Sequence, residues 1–395
     1  MLYFTVGCII ILIFINIKSL IRLRKVYLFL NKKYDLKINT KRNIIVIIPA
    51  MNEVDNVEES INYFKELNDI CEIIYVTTLK EKSMQTYNKI NDEIRKKQVK
   101  NIRVINSPNK VGTMANQLNY AIKNLKDNDI IAIYNIDSKP ERKTFKYVLN
   151  NITDNVVLQQ VSFFDDILKG VMKSAQNWQN RWSIVYEMGK YLSDSKMEFK
   201  YCIGHGLFIK KNILKRIGYF SENEINEDNE FGYRLNINNI SIKPIPFMEK
   251  ADFAKNRKIY IRQQSTWVNG PLYAFKYYNS NKRTFKNLIL SILNFKAFLS
   301  WCLLPWICYL CIIFSILYDI WLIIILIVLV IFYLTGINYL ANKLLIDLKY
   351  IKNKYCIDII ADILFFPFHT FGSFITIYKI IIGKNNIKNK YNTEK

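Results

Sequence analysis

Apolar segments long enough to cross a bilayer stand at both ends of this chain, and most of its charge lies between them. A spanning helix needs about 20 residues with little or no charge. Met1–Ile17 comes close to that length and is followed at once by Lys18, Arg22, Arg24 and Lys25. A cleaved signal peptide carries its charge before the apolar run and ends in small residues, the reverse of this order. The segment therefore reads as a retained anchor whose basic flank, and the domain after it, stay cytoplasmic. Phe298–Leu317 and Ile320–Leu340 each suit one further span, joined by a turn at Tyr318–Asp319. The basic loop Lys343–Lys354 then returns to the cytoplasm. Between Lys282 and Lys296 apolar residues alternate with Lys and Arg at helical spacing, as in a helix lying in the interface. Ile357–Ile382 admits two readings. It is a span that leaves the basic tail from Lys384 outside, against the charge rule, or a re-entrant or interfacial helix pair interrupted near Pro367 and His369.

The same segregation explains a composition of 51% apolar and 23% charged residues in 395. With 56 basic against 33 acidic residues, the net charge of +23 favours anionic partners. In a chain with membrane segments that partner is anionic lipid rather than nucleic acid, for which no module is recognisable. The seven cysteines form no paired framework. Cys308 and Cys311 lie in an apolar run with no His nearby, so their spacing marks a helix face rather than a redox or zinc motif. Two histidines, His205 and His369, are too few for a His-rich metal centre.

From Asn43 to about Ser265 short β-rich runs alternate with longer amphipathic stretches. Ile44–Ile48, Ile73–Val76, Ile102–Ile105 and Ile130–Tyr134 read as strands. Val54–Leu67, Met84–Lys97, Gly112–Leu125 and Arg142–Asn150 read as helices between them. Such alternation predicts an α/β domain with a mostly parallel central sheet covered on both faces. Ligands of such sheets bind at the carboxyl ends of the strands. Pro49-Ala-Met-Asn-Glu53 and Asn135-Ile-Asp137 both fall there.

These positions carry the candidate chemistry. Asp137, just past a buried strand, suits a carboxylate ligand for a divalent cation, although alone it reads equally as a turn residue before Pro140. Asp228, in Asn226-Glu-Asp-Asn229 at the start of a helix, suits a general base; its bland reading is compensation of the helix dipole. Gly204-His205-Gly206 turns into a strand and would let backbone approach a substrate, or is a plain turn. Lys110-Val-Gly112, with Gln117 and Asn119 on the next helix, would meet a diphosphate or sugar, or is a solvated loop. Gln263 or Gln264 would bond hydroxyls while Trp267 stacks on a sugar or base face, or Trp267 belongs to a membrane belt.

In this order and spacing the motifs resemble those of membrane-bound glycosyltransferases of family 2, of the polysaccharide-synthase kind, over residues 43–270. Pro49–Glu53 is similar to the motif that opens the family's nucleotide pocket, and Lys110–Asn119 to its lysine-glycine and leucine-asparagine segment. Asn135-Ile-Asp137 is similar to its D-x-D, Gly204–Phe208 to its acceptor-side segment, Glu227-Asp228 to the acidic pair with the catalytic base, and Gln263–Trp267 to QxxRW. The resemblance implies a GT-A, Rossmann-like fold and a metal-dependent, inverting displacement on a cytoplasmic sugar nucleotide. Three positions depart from the pattern. Asn135 replaces the first Asp of D-x-D, no Asp pair follows Tyr75-Val-Thr77-Thr78, where Thr78 or Glu81 stands instead, and Thr266 takes the Arg place of QxxRW, which weakens the case for processive polymer synthesis.

The expected layout is therefore a basic anchor region 1–42, a GT-A catalytic domain 43–270, an interfacial segment 271–297 and membrane helices with a basic tail 298–395. The expected enzyme is a multi-pass membrane hexosyltransferase with its catalytic domain cytoplasmic. It would move sugar from a nucleotide-sugar donor, a UDP-sugar first among them, to a polysaccharide or lipid-linked acceptor in cell-surface polysaccharide synthesis. Asp228, with Glu227 beside it, supplies the base, Asp137 holds Mg²⁺ or Mn²⁺, and Pro49, Glu53, Thr78, Lys110 and Asn135 line the donor side. Alternatives are a transferase that loads one sugar onto polyprenyl phosphate, and a catalytically degenerate partner subunit or scaffold.

Overall fold

A computed structural model describes residues 2–38, 43–110, 112–195, 198–315, 320–352 and 357–384. The turn expected at Tyr318–Asp319 and the tail after Lys384 lie outside the described residues. Nine strands are described: β1 (Ile44–Pro49), β2 (Glu72–Thr78), β3 (Ile102–Ser107), β4 (Ile130–Ile133), β5 (Val156–Gln159), β6 (Ser162–Phe163), β7 (Leu207–Lys210), β8 (Ser241–Pro244) and β9 (Glu249–Lys250). Seven form one sheet in the order β3-β2-β1-β4-β7-β5-β8, while β6 and β9 make a small parallel pair. Every pairing in the main sheet is parallel except those of β7, which runs antiparallel to both β4 and β5.

Continuous apolar runs such as Ile44–Ile48 form strands here because both faces of the sheet are covered. Ile45, Ile47, Ile74, Val76, Ile131 and Ile133 face one core, and Ile44, Val46, Ile48, Ile73, Tyr75, Ile130 and Ala132 face the other. Alternate side chains leave a strand on opposite sides, so a run buried throughout needs two cores. Each such isoleucine contributes about 2 kcal/mol of hydrophobic stabilisation. The registers Ile47 with Ile133 and Pro49 with Val76 bring the carboxyl ends of β1, β2 and β4 to one edge.

Four helices are long and apolar enough to cross a membrane: Thr5–Leu30, Phe285–Ile313, Trp321–Asp347 and Ile359–Ile381. The first belongs to a helix running Leu2–Leu30, so the basic flank continues the anchor as helix. Arg22 and Lys18 pair with Glu198 of the α/β domain at 2.6 and 2.8 Å. The interfacial stretch before the second span is continuous with it, as the single helix Phe285–Ser315. The last segment holds two helices, Ile359–Phe368 and Phe371–Ile381, separated by a turn at His369–Thr370.

The α/β domain and the long apolar helices share one interior. Leu23 and Val26 of the anchor and Ile337, Ala341, Leu344 and Leu345 of the third span join the core that holds Ile45 and Ile131. Arg181, with no exposed surface, fastens the Gly170–Arg181 helix to that span. Its guanidinium lies 4.1 Å from the Tyr333 ring and 4.5 Å from that of Trp178, and it donates to the Tyr333 carbonyl and, at 3.4 Å, to Asn338. Asn180 beside it donates to Asn342 at 2.9 Å.

Candidate active site

The site is built where β4 ends. After Ile133 the chain turns, with the Asn135 N–H donating to Ser138 Oγ (3.1 Å) and the Ser138 N–H to the Asn135 carbonyl (3.1 Å). This tight turn holds Asn135 and Asp137 half-buried above the sheet edge. β7 starts at the same edge because it is antiparallel. The Gly206 N–H donates to the Ile133 carbonyl and the Gln160 N–H to the Gly206 carbonyl, both at 2.7 Å. Gly206 has φ +64°, and a Cβ there would sit 2.8 Å from the Gln160 carbonyl oxygen. Glycine is thus required, by conformation and by space.

The Gly204–Gly206 loop is pinned by Gln159, a residue with no sequence signal of its own. Gln159 donates to the His205 carbonyl (2.7 Å) and accepts from the Ile203 N–H (3.0 Å). Asp228 comes to this loop from the Glu227–Ile237 helix, in whose first turn it stands. Its Oδ2 lies 3.4 Å from the place a Cβ on Gly204 would take. That approach is possible because Gly232, one turn further on, lies flush against the Tyr201–Cys202 backbone. Asn226 donates to the Trp267 carbonyl at 3.1 Å, tying this helix to Arg257–Trp267, which carries Gln263 and Gln264.

One cavity of about 410 Å³ is therefore lined by Asn135, Asp137, Gly204, His205, Glu227, Asp228, Gln263, Gln264 and Trp267. Residues from Asn135 to Trp267, far apart in the chain, meet in it. Gly206 is not among the lining residues. Thr78 lies apart, in a small hollow with Met51, Lys80, Asn109 and Gly112, and donates to the Asn109 carbonyl at 2.8 Å. Pro49, Glu53 and the exposed Lys110 stand outside both hollows. Glu53 accepts from the Asn56 side chain at 2.6 Å, and Glu81 caps Thr86 and the Asn52 N–H. Gln117 and Asn119 spend their amide N–H groups on the fold: Gln117 on the carbonyls of Ala50 and Val76, Asn119 on that of Phe220 and on Glu222.

Two carboxylates that sequence reading passed over also line the cavity. Glu249, 1% exposed on β9, has neither oxygen hydrogen-bonded and faces His205 Nδ1 at 3.5 Å. Burial opposes a charged His205, but Glu249 outweighs it, with Asp137 and Glu187 adding, so its pKa is raised. Glu187 is itself raised by burial, against the Tyr201 hydroxyl that donates to it at 2.8 Å. Neither has a sequence signal: each is a single acidic residue in a short strand or helix.

Among the described residues no three His, Cys, Asp or Glu side chains are gathered into a ready metal cage. Mg²⁺-type ions are commonly held by one or two carboxylates and completed by substrate phosphates and water. Asp137, half-buried and beside the neutral Asn135, fits that kind of site and not a permanent structural one.

Comparison with known proteins bears on the family and the fold. The family model described as glycosyl transferase family 2 matches residues 45–218, and that of glycosyl transferase family group 2 matches 142–335. No curated protein sequence matches the chain. Among solved structures, the mannosyltransferase PcManGT from Pyrobaculum calidifontis, solved with GDP-Man and Mn²⁺, is similar in fold. Its TM-score is 0.60 at 13% identity, over 94% of this chain and 99% of that one. TarS of S. aureus aligns over 64% of this chain and 43% of its own at 15% identity, with a TM-score of 0.37 that carries no weight for the fold. The mostly parallel sheet and the two family matches, which together span residues 45–335, lead to one conclusion: this region is a glycosyltransferase family 2 domain.

Proposed function

We propose that this protein transfers a sugar from a nucleotide-sugar donor to an acceptor hydroxyl with inversion, at the cytoplasmic face of the membrane, in the synthesis of a cell-surface polysaccharide. The observation that carries the reading is the meeting of Asp137 and Asp228 in one cavity, which Gly204 and His205 also line. A neutral alcohol is a poor nucleophile, so a base must take its proton as the bond to the anomeric carbon forms. Asp228 is that base, and the diphosphate leaves from the opposite face of the sugar.

Asp137 is the residue to hold Mg²⁺ or Mn²⁺, which when bound would offset charge on the departing diphosphate. The similar mannosyltransferase was solved with GDP-Man and Mn²⁺, which supports this class of donor and metal. A UDP-sugar is the first donor to try. The nucleotide would lie toward Pro49, Glu53 and Thr78, with Lys110 near its phosphates.

The test is nucleotide release by membranes holding the protein, across UDP-, GDP- and dTDP-sugars with Mg²⁺ or Mn²⁺. Turnover of one donor, lost with EDTA and restored by added metal, is expected. Absence of turnover with every donor would overturn the reading and favour the degenerate partner subunit.

A further inference from the structure

Cys308 and Cys311 read in sequence as one helix face, and the fold brings a third thiol to that face. Cys311 of the helix Phe285–Ser315 meets Cys8 of the anchor helix Leu2–Leu30, its thiol donating to the Cys8 sulfur with the two Sγ atoms 3.1 Å apart. No atom fits between them. Both pack in the cluster of Leu12, Leu326 and Val330, where the anchor meets the second and third spans. Cys311 has no exposed surface, while Cys8 is partly exposed. Among the described residues every cysteine is a free thiol.

The position of the pair along the helices decides its chemistry. The anchor joins the core of the α/β domain through Leu23 and Val26. Cys8 lies about 22 Å along the helix from Leu23, at about 1.5 Å per residue. The second span starts at the same domain, where the Tyr233 hydroxyl donates to the Asn287 carbonyl at 3.0 Å. Cys311 lies about 36 Å beyond Asn287. Both thiols therefore stand at the ends of their spans that point away from the α/β domain, Cys8 just inside Thr5 and Cys311 just inside Ile313. A hydrocarbon core about 30 Å thick puts them near its far boundary. With the α/β domain cytoplasmic, as proposed above, that boundary is the extracytoplasmic one. Disulfides form and persist on that side, whereas cytosolic thiols are kept reduced.

We propose that Cys8 and Cys311 form a disulfide that staples the anchor to the second span at the extracytoplasmic side. Cys8, the more exposed of the two, attacks a disulfide donor as its thiolate and forms a mixed disulfide. The Cys311 sulfur then displaces the donor's remaining sulfur. One disulfide is exchanged for another: the two cysteines give up two electrons and two protons, and the donor leaves as two thiols. Cys308, one turn nearer the α/β domain, stays a thiol. The staple joins two helices that reach the candidate active site. Trp301 of the second span lines the cavity, and the Arg22 side chain of the anchor lies 3.0 Å from where a Cβ on Gly189 would stand, beside the lining residues Glu187 and Lys190. The side of the membrane, though not the pairing, rests on the cytoplasmic placement of the α/β domain.

The experiment uses the full-length protein in cells lysed directly into excess N-ethylmaleimide, which traps each free thiol as it stands. Digestion without reductant, followed by mass spectrometry, is expected to find one peptide pair joined through Cys8 and Cys311, with Cys302 and Cys308 alkylated. Cys8→Ser should leave Cys311 alkylated, and Cys308→Ser should keep the joined pair. In detergent, reductant should lower the melting temperature of the parent by a few degrees and leave that of Cys8→Ser unchanged. Alkylation of both Cys8 and Cys311 in the parent would overturn the disulfide. A reductant shift equal in parent and variant would overturn the staple. Tyr3→Cys, at an exposed position of the anchor, tests the placement separately with a membrane-impermeant maleimide on intact cells. Labelling supports the extracytoplasmic side. Absence of labelling would overturn that side and the cytoplasmic α/β domain together, while the joined peptide still decides the pairing.

Discussion

Gly232→Ala separates stability from catalysis in this architecture. Gly232 lies four residues after Asp228, so the two share one face of their helix. A Cβ at 232 would meet the Cys202 backbone nitrogen at 2.7 Å and the Tyr201 Cα at 2.8 Å. Ordinary contact begins near 3.4 Å, so the helix must withdraw by about 0.7 Å from the segment leading to Gly204. Overpacking of this kind costs about 1–3 kcal/mol. Alanine returns about 1 kcal/mol of helix propensity, which leaves a net loss of about 0–2 kcal/mol and a melting point lower by a few degrees. Catalysis should suffer more, because Asp228 moves away from the loop that it faces. A misplacement approaching 1 Å can cost about 10²-fold, so kcat should fall by about 10–10²-fold. The assay is nucleotide release at saturating donor and acceptor, beside thermal unfolding of the same preparation. A variant that keeps kcat within about twofold of the parent would refute the claim that this helix face sets the base.

Two further outcomes are expected. Arg181→Ala removes three ring contacts, with Trp178, Tyr186 and Tyr333, and two hydrogen bonds at the joint between the Gly170–Arg181 helix and the third span, and leaves a void. It should destabilise the detergent-solubilised protein by about 3 kcal/mol or more, and an unchanged melting temperature would show that the joint does not hold the domain to the membrane helices. His205 has a raised pKa, so its pairing with Glu249 stabilises the fold fully below the usual histidine value of about 6.5 and fades as pH rises through the raised one. Glu249→Gln should therefore flatten the melting temperature over that window, and a profile parallel to the parent's would count against the pair.

The parts of this molecule legible in the sequence are those with a local signal. Ile44–Ile48 and Ile130–Ile133 read as buried strands because their apolar runs are continuous, and Asp137 and Asp228 could be placed at a strand end and a helix start from neighbours alone. The antiparallel place of β7 between β4 and β5 has no such signal, since it depends on the Gly206 turn meeting Ile133. Gln159 and Glu249 were missed for a related reason. Each is a single polar residue whose partner is dozens of positions away: both reach His205. Lys110 and Glu53 show the converse, a motif easily seen whose side chains line neither hollow.

The most direct test of the central claim compares Asp228→Asn with the parent for donor binding and for turnover, in one preparation. Asparagine keeps the shape of the side chain and its place at the helix start but cannot accept the acceptor's proton. Donor affinity, read by equilibrium binding of the active nucleotide sugar with Mn²⁺, should change by less than about threefold, while kcat falls by about 10²–10⁴-fold. Turnover within about tenfold of the parent at matched donor affinity would contradict the assignment of Asp228 as the base.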